Sequence, residues 1–126
     1  MTFILSKRSL SALDGVHPDL VKVVKRAIEI TEIDFVVTEG LRTKERQAEL
    51  FKAGASQTMN SRHLTGHAVD LAAWVGQVRW DWPLYAKLAQ AMKAAAKEVD
   101  VSIVWGGDWT SLRDGPHFEL NRKVYP

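Results

Sequence analysis

The spacing of apolar residues along the chain predicts two amphipathic helices. Pro18 and Asp19 are residue types favoured in the first turn of a helix, and an apolar stripe at helical spacing follows them. A second helix is predicted from Pro83 to Glu98, where many alanines accompany larger apolar residues on one face. His17 is expected to be a surface residue near the start of the first helix. Both apolar faces are suited to packing against a sheet.

Shorter segments predict further helices and four strands. Residues 6–14 form a helical lead-in ended by a glycine, and Lys44–Ala53 form a helix capped by Thr43. Short runs of branched and aromatic residues, bounded by glycine, proline or charged residues, predict strands. These strands cover residues 34–39, 68–74, 101–105 and 116–120.

Alternation within two of these strands brings polar side chains onto one face. Side chains at alternate positions of a strand share a face. Asp70 therefore shares a face with two alanines, which leave space above the carboxylate. In the last strand, His117 and Glu119 share one face, and apolar residues occupy the other. Two strand faces of this kind could converge on one metal ion.

Zinc is the metal that suits these residues, with His63, Asp70 and His117 as ligands. Three nitrogen and oxygen ligands leave one coordination position open, as in catalytic zinc sites. A structural zinc site usually recruits cysteine, and the chain has none. The alternative, in which the histidines and the aspartate of an ordinary soluble domain match by coincidence, stays open.

A helical zinc motif is rejected for the first of these segments. His63 and His67 have the four-residue spacing of HExxH, but Leu64 stands where that motif requires glutamate. Gly66 also disfavours a helix there, so a loop running into the strand is expected.

Composition and charge exclude several other classes of protein. The chain has 126 residues with 46% hydrophobic and 25% charged residues, which predicts one soluble domain. A net charge of +2 without a basic run does not favour nucleic acid as a partner. The N-terminal residues have the wrong order for a secretory signal, and no apolar stretch is long enough to span a membrane. We expect a monomer made in the cytoplasm, comprising residues 1–126 without a separate wall-binding module.

Two motifs together resemble a known family of zinc peptidases. Residues 61–70 read SRHLTGHAVD and residues 114–120 read DGPHFEL, with WGGDW at residues 105–109. The pattern is similar to peptidases of the D-Ala-D-Ala carboxypeptidase type, which share the Hedgehog/DD-peptidase fold. Within them it most resembles the phage L-alanyl-D-glutamate endopeptidases, or endolysins. With the predicted elements, the expected fold is α+β: a small, mainly antiparallel sheet with helices packed on one side and a zinc site on the other.

The resemblance implies a role for most of the motif residues. It implies that zinc is bound by His63, Asp70 and His117. It also implies that Asp114 is the catalytic base and that Arg42 contacts the substrate and the developing oxyanion. Ser61 matches the small hydroxyl residue that precedes the first histidine.

Other residues near the motifs are candidates for supporting roles. His67 and Glu119 are expected to orient a ligand or support the structure rather than to bind the metal. Trp105 and Trp109 either form a wall of the substrate groove or pack as core aromatics. Of the carboxylates beside His117, we favour Asp114 over Glu119 as the base, because Gly115 and Pro116 allow the chain to fold Asp114 back over the metal.

The function implied by the resemblance is hydrolysis of the L-alanyl-D-glutamate bond in the peptidoglycan stem peptide, leading to lysis of the host cell. Such an enzyme would need a separate holin-like pore to reach the wall from the host cytoplasm. A D,D-carboxypeptidase or dipeptidase of the same superfamily remains an alternative. So does a Hedgehog-like module that binds zinc without catalysis.

Overall fold

The computed structural model describes residues 2–56 and 58–126, and an antiparallel sheet lies at its centre. Its strands run in the order β1-β2-β5-β4, and β3 pairs with the end of β2. The strands are β1 (Phe35–Glu39), β2 (Ala68–Trp74), β3 (Val78–Arg79), β4 (Ile103–Trp105) and β5 (His117–Leu120). The helices are α1 (Lys7–Ala12), α2 (Pro18–Ile30), α3 (Lys44–Lys52) and α4 (Trp82–Val99). The predicted α+β class with a small antiparallel sheet is confirmed.

The hydrophobic core lies between one face of the sheet and the helices α1, α2 and α4. Alternate residues of β2 and β5 enter this core, and the apolar stripe of α2 belongs to the same cluster. The sheet contributes Phe35, Val37, Val69, Leu71, Ala73, Phe118 and Leu120. Buried alanines on α4 allow it to pack closely against β2, as the sequence predicted, and also against α2, which was not predicted.

The register of the sheet aligns polar residues on the opposite face. Asp70 of β2 pairs with His117 of β5 on one side and with Glu39 of β1 on the other. A bulge between Val37 and Glu39 makes the second pairing possible, because strict alternation would have turned Glu39 towards the core. The aligned polar residues therefore come from three adjacent strands, β1, β2 and β5.

Three local features do not follow from the residue pattern alone. Helix α3 contributes no residue to the hydrophobic core among the described residues; its buried residue is Gln47. Residues Arg62–Thr65 form a 3-10 turn rather than a loop, since Gly66 ends the turn only after one winding. At the start of α4, Asp81 makes no capping hydrogen bond, because its carboxylate pairs with Arg79. Within the described chain, no helix is both long and apolar enough to cross a bilayer.

Candidate metal centre and cleft

The 3-10 turn before β2 fixes the position of His63. Ser61 begins this turn, and its Oγ accepts a hydrogen bond from the backbone N–H of His63 at 3.2 Å. Gly66 ends the turn at φ 74°, and a Cβ there would lie 2.4 Å from the carbonyl oxygen of Gly15. The His63 ring contacts the Gly40 carbonyl through Nδ1 at 2.8 Å. Because a carbonyl can only accept, Nδ1 carries a proton, which leaves Nε2, 3.2 Å from Oδ1 of Asp70, as the ring nitrogen available to a metal.

His117 presents the other ring nitrogen to the same carboxylate. Its Nε2 donates to Oε1 of Glu119 at 2.8 Å, and its Nδ1 lies 3.3 Å from Oδ1 of Asp70. Glu119 is anchored in turn, since its Oε2 lies 3.9 Å from Nε of Arg62 and 3.6 Å from Nε of Arg122. This hydrogen bond holds Glu119 against the His117 ring, and its supporting role stays a prediction.

Arg62 connects this arrangement to the C-terminal segment, a contact that was not predicted from the sequence. Its Nη2 donates to the carbonyl oxygens of Tyr125 at 2.6 Å and Leu120 at 3.3 Å. The Arg62 side chain is only 10% exposed. Its place between Ser61 and His63 in the motif was the available signal, but an arginine in a turn is more often a solvated charge.

The three predicted ligands converge, and their chemistry fits zinc. One donor atom from each of His63, Asp70 and His117 lies within 4.8 Å of the others. Two imidazole nitrogens and one carboxylate oxygen form a ligand set that zinc favours. Each imidazole is also oriented by a hydrogen bond through its other nitrogen, as is usual for metal-binding histidines.

Without a metal, hydrogen bonds within the cluster shift the pKa values of Asp70, His117 and Glu119. Burial alone would raise the pKa of Asp70, but hydrogen bonds from His117 and His63 hold it well below its usual range. Burial would lower the pKa of His117, but its bonds to Asp70 and Glu119 outweigh burial and raise it to about 9. Burial likewise opposes the shift at Glu119, whose pKa the hydrogen bond from His117 lowers. A metal must therefore displace a proton from His117.

Asp114 lies at the wall of the cleft directly before β5. Its backbone N–H donates to the Gly106 carbonyl at 3.1 Å, and its own carbonyl accepts from the His117 N–H at 3.2 Å. Partial burial and the nearby charge of Asp70 raise the pKa of its carboxyl group. A raised pKa suits a carboxylate that takes up and releases a proton near neutral pH.

Arg42 is held rigidly beside the cluster, with its side chain 8% exposed. Its Nε and Nη2 donate to the two carboxylate oxygens of Glu39, both at 2.7 Å, and Nη1 donates to Gln47 at 2.7 Å. Its Nη2 also lies 3.8 Å from Oδ2 of Asp70. Glu39 and Gln47 were not predicted as site residues, because only the bulge in β1 and the orientation of α3 bring them there.

The remaining candidates divide between the cleft and other parts of the molecule. Trp109 lines the cleft, with its ring centroid 5.2 Å from that of His117. Trp105 instead stacks on Phe118 and donates to the Gly115 carbonyl at 2.7 Å, as core packing would require. His67 does not join the ligand cluster: its Nδ1 lies 2.6 Å from Oγ1 of Thr65.

His17 is also more than a surface residue. Its Nδ1 accepts from the backbone N–H of Asp19 at 3.1 Å and so caps α2. Its ring lies beside those of His67 and Tyr125, with centroids 5.6 and 5.3 Å away. The His17 ring thus connects the N-terminus of α2 both to the segment before β2 and to the C-terminal segment.

The cluster opens into a cleft of about 710 Å³. Its walls come from the end of β1, residues after α3, the 3-10 turn and the loop before β5. The lining combines arginine and carboxylate side chains with a few apolar residues, including Leu50, Trp109 and Leu112. Such a groove suits a polar, extended substrate.

Known proteins resemble this chain over its whole length. The family model described as phage L-alanyl-D-glutamate peptidase matches residues 1–125. The L-alanyl-D-glutamate peptidase of Escherichia phage T5 is 33% identical over 130 residues, which cover 99% of this chain and 94% of the relative. That of Listeria phage A118 is 34% identical over 128 residues, covering 99% of this chain but only 45% of the relative.

Solved structures support the same assignment. The crystal structure of the Serratia marcescens L-Ala D-Glu endopeptidase ChiX has a TM-score of 0.91 and 49% identity, covering 98% of this chain and 94% of that one. The vancomycin-resistance D,D-dipeptidase VanXYg has a TM-score of 0.57 and 20% identity over 83% of this chain and 50% of that one, so it shares the fold. By its sequence and its fold, the chain belongs to the family of phage L-alanyl-D-glutamate peptidases.

Proposed function

We propose that this peptidase is a zinc-dependent endopeptidase that hydrolyses the L-alanyl-D-glutamate bond of the peptidoglycan stem peptide and so lyses the host cell. The observation that carries the proposal is the convergence of His63, Asp70 and His117 beside Asp114 at one cleft. Family membership supports the substrate, since the relatives from phages T5 and A118 are named for this bond.

The reaction divides among a few side chains. Bound zinc supplies a Lewis acid that lowers the pKa of a water molecule and polarises a carbonyl. Asp114 takes a proton from the attacking water and delivers it to the leaving amine, a role that its raised pKa favours. Arg42 has two N–H groups beyond the three that bind Glu39 and Gln47, and these can stabilise charge on the carbonyl oxygen.

Digestion of purified peptidoglycan tests the bond that is cleaved. We expect mass spectrometry to find fragments with a new N-terminal D-glutamyl residue and glycan chains that keep L-alanine. Release of free D-alanine, with the first bond of the stem intact, would instead identify a D,D-carboxypeptidase.

Metal analysis of protein purified without an affinity tag tests the ligands. We expect about one zinc per chain, removed together with activity by a strong chelator. His63→Ala, Asp70→Ala and His117→Ala should each greatly weaken zinc binding. His67→Ala is the matched control, since His67 lies outside the cluster, and it should keep the ion. Full zinc occupancy in His117→Ala would refute this ligand set.

The route to the wall and the monomeric state remain proposals of the same kind. We propose that a separate holin-like pore releases the enzyme from the host cytoplasm. Expression should then lyse cells only when a membrane pore is co-expressed, and lysis without any pore would contradict this route. Sedimentation analysis should find a single chain in solution.

A further inference from the structure

The arginines that line the cleft are not equivalent. Arg42 binds Glu39, and both Arg62 and Arg122 lie beside Glu119. Arg113 differs from them, because no carboxylate of the described residues lies within 4.0 Å of its guanidinium nitrogens. Asp108, five residues before it in the turn after β4, is paired with Lys93 at 2.7 Å. Arg113 is therefore a cation on the cleft wall without an internal counter-ion.

The guanidinium of Arg113 is nevertheless held in place. Its Nε donates to the Gly107 carbonyl at 2.9 Å, and its Cζ lies 4.4 Å from the ring centroid of Trp82. A guanidinium stacked on an indole keeps its planar orientation, so little side-chain entropy remains to be lost on binding. The terminal N–H groups, which make no hydrogen bond within the described residues, remain available to a ligand.

The backbone around Arg113 is also unusual. Leu112 has φ 52°, in the left-handed region that non-glycine residues rarely adopt, and its side chain is exposed. Such conformations persist at binding sites when the surrounding structure enforces them. Leu112, Arg113 and Asp114 all line the cleft, so this conformation presents consecutive residues to one ligand.

The proposed substrate has a group that matches this cation. This step rests on the proposed function. A D-glutamyl residue has two carboxyl groups, and when one forms a peptide bond with the next residue, the other remains a free carboxylate. That carboxylate belongs to the residue whose nitrogen is the leaving amine. Asp114 is proposed to protonate the same amine, and Arg113 is its neighbour in the chain.

We infer that Arg113 is a specificity-determining residue that binds the free carboxylate of the D-glutamyl residue following the scissile bond. Arginine suits this task because its planar group can form two parallel hydrogen bonds with a carboxylate. The other cleft arginines are engaged by Glu39 or Glu119, whereas Arg113 has no carboxylate partner within residues 2–56 and 58–126.

Two matched peptides test this assignment. Both have a blocked N-terminus and an amidated C-terminus, and one carries the free carboxylate on the D-glutamyl residue while the other carries an amide there. We expect the zinc-loaded enzyme to prefer the carboxylate peptide by about 10- to 100-fold in kcat/KM, the range for a hydrogen-bonded ion pair. Arg113→Gln should bring this preference close to one, mainly by raising KM for the carboxylate peptide.

Two further variants distinguish the effect of a positioned guanidinium group from the effect of positive charge alone. Arg122→Gln removes the same charge from the same cleft and should leave the preference unchanged, even if its rate falls on both peptides. Arg113→Lys keeps the charge but not the stacked planar group, so its preference should lie between those of the wild type and Arg113→Gln. Thermal unfolding checks that each variant folds. If Arg113→Gln does not fold, Arg113→Lys alone decides the test.

The possible failures are distinguishable. Equal cleavage of both peptides by the wild type, or a wild-type preference in either Arg113 variant, would overturn the assignment to Arg113 while leaving the proposed function intact. Loss of the preference in Arg122→Gln would do the same, because it would show a general charge effect. If the zinc-loaded wild type cleaved neither peptide at the alanyl-glutamyl bond, the proposed function itself would fall, and this inference with it.

Discussion

The two histidines of the cluster use different ring nitrogens to face Asp70, and their neighbours explain why. The 3-10 turn places Nδ1 of His63 against the Gly40 carbonyl, which leaves Nε2 for a metal. In β5, Glu119 lies two residues beyond His117 on the same face and binds Nε2, which leaves Nδ1. Each histidine thus has its free nitrogen determined by a hydrogen bond rather than by its position in the motif.

The same contacts separate the roles of the two carboxylates beside His117. Asp114→Asn should keep the fold and the zinc but reduce turnover by about 100- to 10,000-fold, because a general base is lost. Glu119→Gln should keep measurable turnover but weaken zinc binding by about 10- to 100-fold, because the His117 ring loses its charged partner.

Turnover measured at matched zinc content distinguishes these variants. The carboxamide in each variant is close in size to the carboxyl group that it replaces. Neither substitution should therefore disturb folding or packing, and each variant is the control for the other. An active Asp114→Asn enzyme beside an inactive Glu119→Gln enzyme would reverse the assignment.

At the level of secondary-structure elements, Gly40 at the end of β1 lies against both the end of α1 and His63 of the metal cluster. A Cβ on Gly40 would lie 2.0 Å from the carbonyl oxygen of Ala12 and 2.8 Å from a methyl group of Val16. The Gly40 carbonyl also accepts the hydrogen bond from His63. The close approach of the segment after α1 to this strand end is therefore needed to hold the first ligand.

We expect Gly40→Ala to lower the free energy of unfolding by about 1–3 kcal/mol through overpacking, and to weaken zinc binding because the His63 contact shifts. Gly54→Ala is the control: it has open space around it, and at φ 76° it should cost about 1 kcal/mol of backbone strain. Its zinc affinity should equal that of the wild type. Denaturant unfolding and zinc titration measure both effects, and unchanged zinc affinity in a folded Gly40→Ala would contradict the coupling.

At the scale of the whole molecule, the charge state of the cluster couples stability to pH. In the metal-free protein, the pKa of His117 rises from its ordinary value of 6.5 to about 9. A raised pKa stabilises the fold fully below pH 6.5, and this stabilisation is lost as the pH rises through about 9. The amount is on the order of 3 kcal/mol. Asp70 and Glu119 have lowered pKa values, so their contribution is lost as the pH falls into the acid range.

We therefore expect metal-free protein to be most stable between about pH 5 and 6.5 and to lose stability from pH 6.5 to 9. Zinc should reverse the trend over the same range, because it binds the unprotonated nitrogen and its affinity rises with pH. Unfolding measured with chelator tests the decline expected for the metal-free protein. Unfolding measured with saturating zinc tests the reversed trend. His117→Gln is the control, in which the metal-free decline should disappear; a metal-free stability that rises towards pH 9 would contradict the proton sharing.

Local patterns of residues were sufficient to predict most of the elements and the three proposed metal ligands. Residue patterns identified α2, α4 and four of the five described strands, since a helix or strand must turn its apolar residues to one side, but not the two-residue strand β3. Alternation in β2 and β5 placed Asp70 and His117 away from the core before any pairing was known. These are local properties, so neighbouring residues are sufficient to predict them.

The tertiary structure alone decided what surrounds those residues. The bulge in β1 turns Glu39 towards Arg42, and the packing of the C-terminal segment brings Tyr125 to Arg62. It also assigned Trp105 to the core and Trp109 to the cleft. Each outcome depends on strand register or on contacts between segments far apart in the chain. Residue spacing cannot encode them, because a shift of one residue in register reverses the face of every side chain.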